Sequence, residues 1–134
     1  MTPELTYLTY AVILLVAHML VQATFSDLSK GIGWALGAQD EHREPSVFAG
    51  RLERALRNYV YNLPAFVALA LILAQTGLGT EGTALGAALF FWARVAYVAA
   101  YASGIPLTRS IAWFASLAGL ALMIVPLLGG QPAG

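Results

Sequence analysis

The sequence predicts an all-α integral membrane protein, a four-helix up-down bundle that forms one domain over residues 1–134. Three observations predict it. Of 134 residues, 59% are hydrophobic and only 10% charged, with a mean hydropathy of +0.71, whereas an ordinary soluble domain carries about 25% charged residues. Four stretches, at about residues 5–25, 52–75, 84–102 and 108–128, are long and apolar enough to span, since roughly 20 residues at ~1.5 Å rise cross the hydrocarbon. The second and third connections are short, which favours antiparallel neighbours.

Composition also excludes several functions. The formal net charge is zero, so no nucleic-acid partner is expected. There is no cysteine, which removes disulfides, a protein thiolate nucleophile and cysteine-based metal sites. Any thiol chemistry must use a thiol brought in by a ligand. The N-terminus, Met1 to Glu4, has no basic segment, so the first apolar run is expected to stay as a helix and not to be cleaved as a signal peptide.

The first span, Leu5 to Phe25, carries no charge. His18 and Gln22 lie at i and i+4 and read as an interhelical hydrogen-bonding pair; no second histidine or glutamate at ligand spacing accompanies them. Ser26 to Gly50 is the polar connection, in which glycines alternate with Ile32, Trp34 and Leu36. It reads as an irregular segment at the membrane interface, where Trp is favoured. Asp40, Glu41 and His42 read as a solvated charge run, and no metal site is expected.

The second span opens with Arg51-Leu-Glu-Arg-Ala-Leu-Arg-Asn. Arg51, Arg54, Asn58 and Tyr61 fall at i, i+3, i+7 and i+10, on one helix face, with Arg57 at its edge. Lipid tolerates such groups only when they are paired or wetted. Pro64 removes a backbone donor and predicts a kink near Val60, with Asn58 or Asn62 available to the freed carbonyl. The third span carries Arg94, Tyr97 and Tyr101 at i, i+3 and i+7. An unpaired Arg inside a span costs about 2.5–3.5 kcal/mol on insertion scales, and Glu53 is its expected partner. Gly82, Gly86, Ala87 and Ala93 form a small-residue face able to approach other helices closely, and suggest assembly. After the turn Ser103-Gly-Ile-Pro106, the fourth span begins near Thr108 with Arg109 and Ser110 in its first turn. Gly129 to Gly134 reads as a flexible tail.

Orientation follows from Lys and Arg. Lys30, Arg43, Arg51, Arg54 and Arg57 lie on the first connection and the foot of the second helix, and Arg109 on the third connection. The positive-inside rule then places these ends in the cytoplasm and both termini on the other side. The polar stripes converge on one end, rich in donors and poor in carboxylates. Such a pocket suits an anionic ligand, because Arg offers a bidentate fork to carboxylate or phosphate. The competing reading is that arginines at a cytoplasmic helix end only anchor to headgroups.

The motifs together resemble those of the MAPEG family, the membrane-associated proteins in eicosanoid and glutathione metabolism, in a bacterial type. They are Arg-x-x-Arg-Ala-x-Arg-Asn with Asn-x-Pro-x-Phe (Asn62 to Phe66), Ala93-Arg-Val-x-Tyr-x-x-x-Tyr101, and Pro-x-x-Arg-Ser (Pro106 to Ser110). The resemblance implies a homotrimer in a bacterial inner membrane, with glutathione bound between protomers at the cytoplasmic side. It implies glutathione-binding roles for Arg54, Arg57, Asn58, Tyr61, Arg94, Tyr97 and Tyr101. Arg109 matches the arginine that stabilises the glutathione thiolate, with Ser110 beside it. Many members have Glu where this chain has Tyr61, a carboxylate expected to help hold the ligand's amino group. The function implied is a glutathione transferase or peroxidase acting on lipophilic electrophiles. The alternative is a non-catalytic subunit of the same fold that binds membrane lipid or other membrane subunits.

Overall fold

The structure is a computed structural model that describes residues 1–130. It is all-helical among those residues. In chain order the helices are α1 (Pro3–Lys30), α2 (Ile32–Leu36), α3 (Val47–Thr76), α4 (Glu81–Ser103) and α5 (Thr108–Leu128). The four long ones are each long and apolar enough to cross a membrane. They form an up-down-up-down bundle, and the protein is an integral, multi-pass membrane protein.

Local chemistry sets the helix ends. Thr2 caps α1, its side chain accepting from Leu5 N with Pro3 at the first helical position, where proline's missing N–H is no loss. Ser46 caps α3 through Ala49 N. Thr80 and Thr83 cap α4 reciprocally. Gly77 and Gly104 close α3 and α4 with φ of +67° and +71°, a left-handed conformation that glycine adopts without a Cβ clash. Gly104 makes the α4–α5 connection at the arginine end tight, and it also leaves room for the Arg51 guanidinium, 2.7 Å from where a Cβ would sit.

The core sits between α1, α3, α4 and α5. Phe66 and Phe90 stack with centroids 4.3 Å apart and planes 10° apart. Tyr59 Oη donates to the Ala11 carbonyl at 2.6 Å, which ties α3 to α1. At the opposite end from the arginines, the buried Glu4 carboxylate accepts from the Thr83 hydroxyl and joins α1 to α4. The outer surface is apolar, as a helix facing lipid requires.

Three expectations change. The first connection is not wholly irregular, because Ile32–Leu36 makes one short helix, α2. Trp34 within it donates to the Glu41 carbonyl at 2.6 Å, which ties the loop back on itself. α3 continues as helix through Pro64. Asn62 bonds the carbonyl of Asn58 at 2.7 Å, one turn behind its own position, and not that of Val60. The small-residue face of α4 is used inside the chain: Gly86 meets Gly119 of α5 backbone to backbone, and Ala87 and Ala93 are buried. Of the tail, residues 131–134 lie outside the described residues.

Candidate functional site

Three helices bring the arginine-rich residues together at one end of the bundle. Arg54, Arg57, Asn58 and Tyr61 come from α3, Tyr97 and Tyr101 from α4, and Arg109 from α5. All seven line one open cleft of about 220 Å³. The i, i+3, i+7 periodicity of α3 and α4 puts each set on one face, and antiparallel packing turns those faces toward each other.

Tyr101 is the hinge between two of these cations. Arg54 Nε donates to Tyr101 Oη at 3.0 Å, and the Arg109 guanidinium lies 5.2 Å from the Tyr101 ring centroid. Cations over aromatic faces are held electrostatically by the ring quadrupole. Arg109 stands two residues after Leu107, which has φ +70°. A non-glycine residue held there costs of order 1–3 kcal/mol, so the entry to α5 is strained beside the site.

Arg94 does not lie in the cleft. It is fully buried, 4.2 Å from the Tyr97 ring and 5.4 Å from the Tyr59 ring. Its Nη2 donates to Asn58 Oδ1 at 2.9 Å, and Asn58 is what reaches the cleft. The expected pair with Glu53 does not form. Glu53 bonds Arg57, one turn along its own helix, at 3.5 Å, and lines a separate cavity with Lys30 and Arg43. The reason is rotational: Glu53 sits on the loop-facing side of α3, while Asn58 faces α4. Arg54, Arg57 and Arg109 are exposed in the single chain, so only one of the expected guanidinium groups is buried.

His18 pairs across helices, but not alongside Gln22. Its Nε2 lies 3.0 Å from the Leu52 carbonyl. A carbonyl only accepts, so Nε2 carries the proton. Nδ1 of His18 and Nε and Nη1 of Arg94 find no partner within the described chain.

Ser110 lines an adjoining cleft of about 250 Å³ with Asn58, Tyr97, Arg109, Trp113 and Phe114. Asn58, Tyr97 and Arg109 are shared with the first cleft, so Arg109 stands between a polar compartment and an aromatic one. Trp113 and Phe114 were not singled out by sequence reasoning. Trp113 lies four residues after Arg109, on the same helix face, and that spacing was the available signal.

In the loop, His42 and Glu44 bond at 2.6 Å and Arg43 and Glu41 at 3.3 Å. The His42 bond holds the Glu44 carboxyl below the usual range. These charges pair with one another at the surface. No group of three or more metal-ligating side chains occurs among the described residues.

The site can therefore hold an anion against guanidinium and phenol donors, next to a wall that accepts an apolar group. No curated protein matches the sequence. A family model, that of the MAPEG family, matches residues 7–129, nearly the whole chain.

Proposed function

The chain belongs to the MAPEG family, and from that premise we propose that it is a glutathione transferase or peroxidase acting on lipophilic electrophiles. The observation that carries the reading is the cleft in which Arg54, Arg57, Asn58, Tyr97, Tyr101 and Arg109 meet from three helices. Bound glutathione would supply a thiolate nucleophile. Arg54 and Arg57 would take its carboxylates, for which guanidinium is the matched donor. Arg109, on the wall shared with the aromatic compartment, would favour the thiolate over the thiol, whose unperturbed pKa is about 8.5. The Ser110 hydroxyl, one residue on, can donate to the same anion. Trp113 and Phe114 would receive an electrophile arriving from lipid. The basic residues at this end support a cytoplasmic position for it, and the membrane of this reading is a bacterial inner membrane. A homotrimer would cover part of the apolar outer surface and close the cleft.

The test is glutathione titration of the purified protein, with conjugation of an aromatic electrophile as the activity readout. Wild type should bind in the millimolar range or tighter and show the ultraviolet absorbance of a thiolate. Arg109→Ala should lose that absorbance. Absence of binding by wild type would sink the enzyme reading.

One observation favours a second reading, a non-catalytic subunit that binds lipid or a membrane partner. Tyr61, 80% exposed at the cleft, stands where many members carry glutamate. Glutathione binding by Tyr61→Glu but not by wild type would select this reading.

A further inference from the structure

At the end of the bundle opposite the arginines lies a second cavity, of about 390 Å³. Pro3, Leu73, Ala74 and Ala84 give it apolar walls, and Glu4 and Glu81 line it with carboxylates. Its size falls among small-molecule pockets. Two helix starts build it: Glu4 stands in the first turn of α1 and Glu81 in the first turn of α4, where helix dipoles favour an anion. Gly79, between α3 and α4, closes over Glu4, since a Cβ there would lie 3.3 Å from Oε1 and 3.6 Å from Oε2. Glu4 is thus shut in, 2% exposed, while Glu81 is exposed.

The Glu4 carboxylate is only half served. Thr83 Oγ1 accepts from Thr80 N at 2.7 Å and donates to Glu4 Oε1. The Thr80 carbonyl, which competes for that proton, already accepts from Ala84 N at 3.0 Å. No group among the described residues donates to Oε2. The α1 dipole favours the charge but brings no hydrogen to that oxygen.

The chain brings no side-chain cation to this end either. Its seven Lys and Arg are Lys30, Arg43, Arg51, Arg54, Arg57, Arg94 and Arg109. Arg94, inside α4, is thirteen residues from Glu81, roughly 20 Å of helix, and turns to Asn58. The α-amino group belongs to Met1, which is 85% exposed. A neighbouring copy changes nothing, because a cyclic oligomer in a membrane holds every copy the same way up and each keeps its Lys and Arg away from this end. A buried carboxylate without a cation is costly.

We propose that this cavity binds a primary ammonium group carried on an apolar body, with Glu4 as its counter-ion. An ammonium has three donors and no acceptor. One serves Glu4 Oε2, and the others suit Glu81 and the Thr2 and Thr80 hydroxyls that also line the space. Leu73, Ala74 and Ala84 take the hydrocarbon. A calcium ion, which takes six to eight oxygen ligands, is a poorer match to two carboxylates, and no group of three metal-ligating side chains occurs among the described residues. A free amphiphilic amine and a phosphatidylethanolamine headgroup share the required chemistry. The site is independent of the thiol cleft.

The experiment uses the full chain in detergent and two matched pairs. Calorimetric titration compares 2-phenylethylamine with neutral 2-phenylethanol. Native mass spectrometry compares retention of phosphatidylethanolamine with that of phosphatidylcholine, whose quaternary ammonium has no N–H. The primary amine of at least one pair should be favoured about ten-fold, the scale of one hydrogen bond to a charged group. Glu4→Gln keeps an acceptor for Thr83 and replaces Oε2 by an NH2 group, so the preference should vanish. Ala84→Leu fills the cavity while leaving both carboxylates, and should remove it too. A Glu4-dependent preference for phenylethylamine assigns the cavity to free amines, and one for phosphatidylethanolamine assigns it to lipid. No preference in either pair, or one that survives either variant, overturns the proposal. Glutathione binding should be unchanged in both variants, which keeps this test separate from that of the thiol reading.

Discussion

Gly86 of α4 and Gly119 of α5 touch through their backbones: a Cβ on either would lie 2.6 Å from the carbonyl oxygen of the other. No side-chain adjustment relieves such a clash, because the obstructing atoms are main chain. Small residues are what allow membrane helices to approach this closely. Gly86→Ala or Gly119→Ala should therefore push α4 and α5 apart at a cost of about 1–3 kcal/mol, seen as a lower melting temperature in detergent. Gly129→Ala, at a position with open space around it, should melt like wild type. An unchanged melt for Gly86→Ala would contradict the contact.

Tyr59 is fully buried and its hydroxyl bonds the Ala11 carbonyl at 2.6 Å. Tyr59→Phe keeps the ring beside Arg94 and removes only that bond. A loss of about 0.5–1.5 kcal/mol is expected, with faster hydrogen exchange along α1. Tyr61→Phe, at an exposed tyrosine, is the control and should leave stability unchanged.

Arg94→Met should separate stability from function. The buried guanidinium has two nitrogens without a partner in the described chain, and apolar replacement of buried charges is often neutral or stabilising. The melting temperature should hold or rise. Asn58 would lose the donor that orients it, and affinity for an anionic thiol should fall about ten-fold, the scale of one hydrogen bond to a charged group. A variant that melts far below wild type would show that Arg94 is structural first.

Asn58→Asp isolates the direction of that amide. The carboxylate can still accept from Arg94 and Asn62, so folding should be retained. Its second oxygen replaces the NH2 group facing the cleft and adds negative charge. Affinity for anionic thiols should drop more than in Asn58→Ala, as read by titration. Equal losses would mean that the amide protons do not face the ligand.

Much of this architecture is legible from residue types alone. Apolar runs of spanning length, threonine and serine caps, and glycines after α3 and α4 dictate where helices begin and end, because those effects act within a few residues. The basic residues at one end and the helical spacing of Arg54, Asn58 and Tyr61, and of Tyr97 and Tyr101, likewise announce a donor-rich face. Trp113 was within reach of the same reasoning, four residues beyond Arg109.

What only the tertiary structure decided is how each helix is rotated and which neighbour it meets. Periodicity says that Arg94 lies on one face with Tyr97; it does not say that Asn58, and not Glu53, stands opposite. Nor does it say that the small residues of α4 would be taken up by Gly119 within the same chain, or that His18 would find the Leu52 carbonyl. Those choices depend on side-chain packing summed across several helices, a property of the folded bundle that no single stretch of sequence contains.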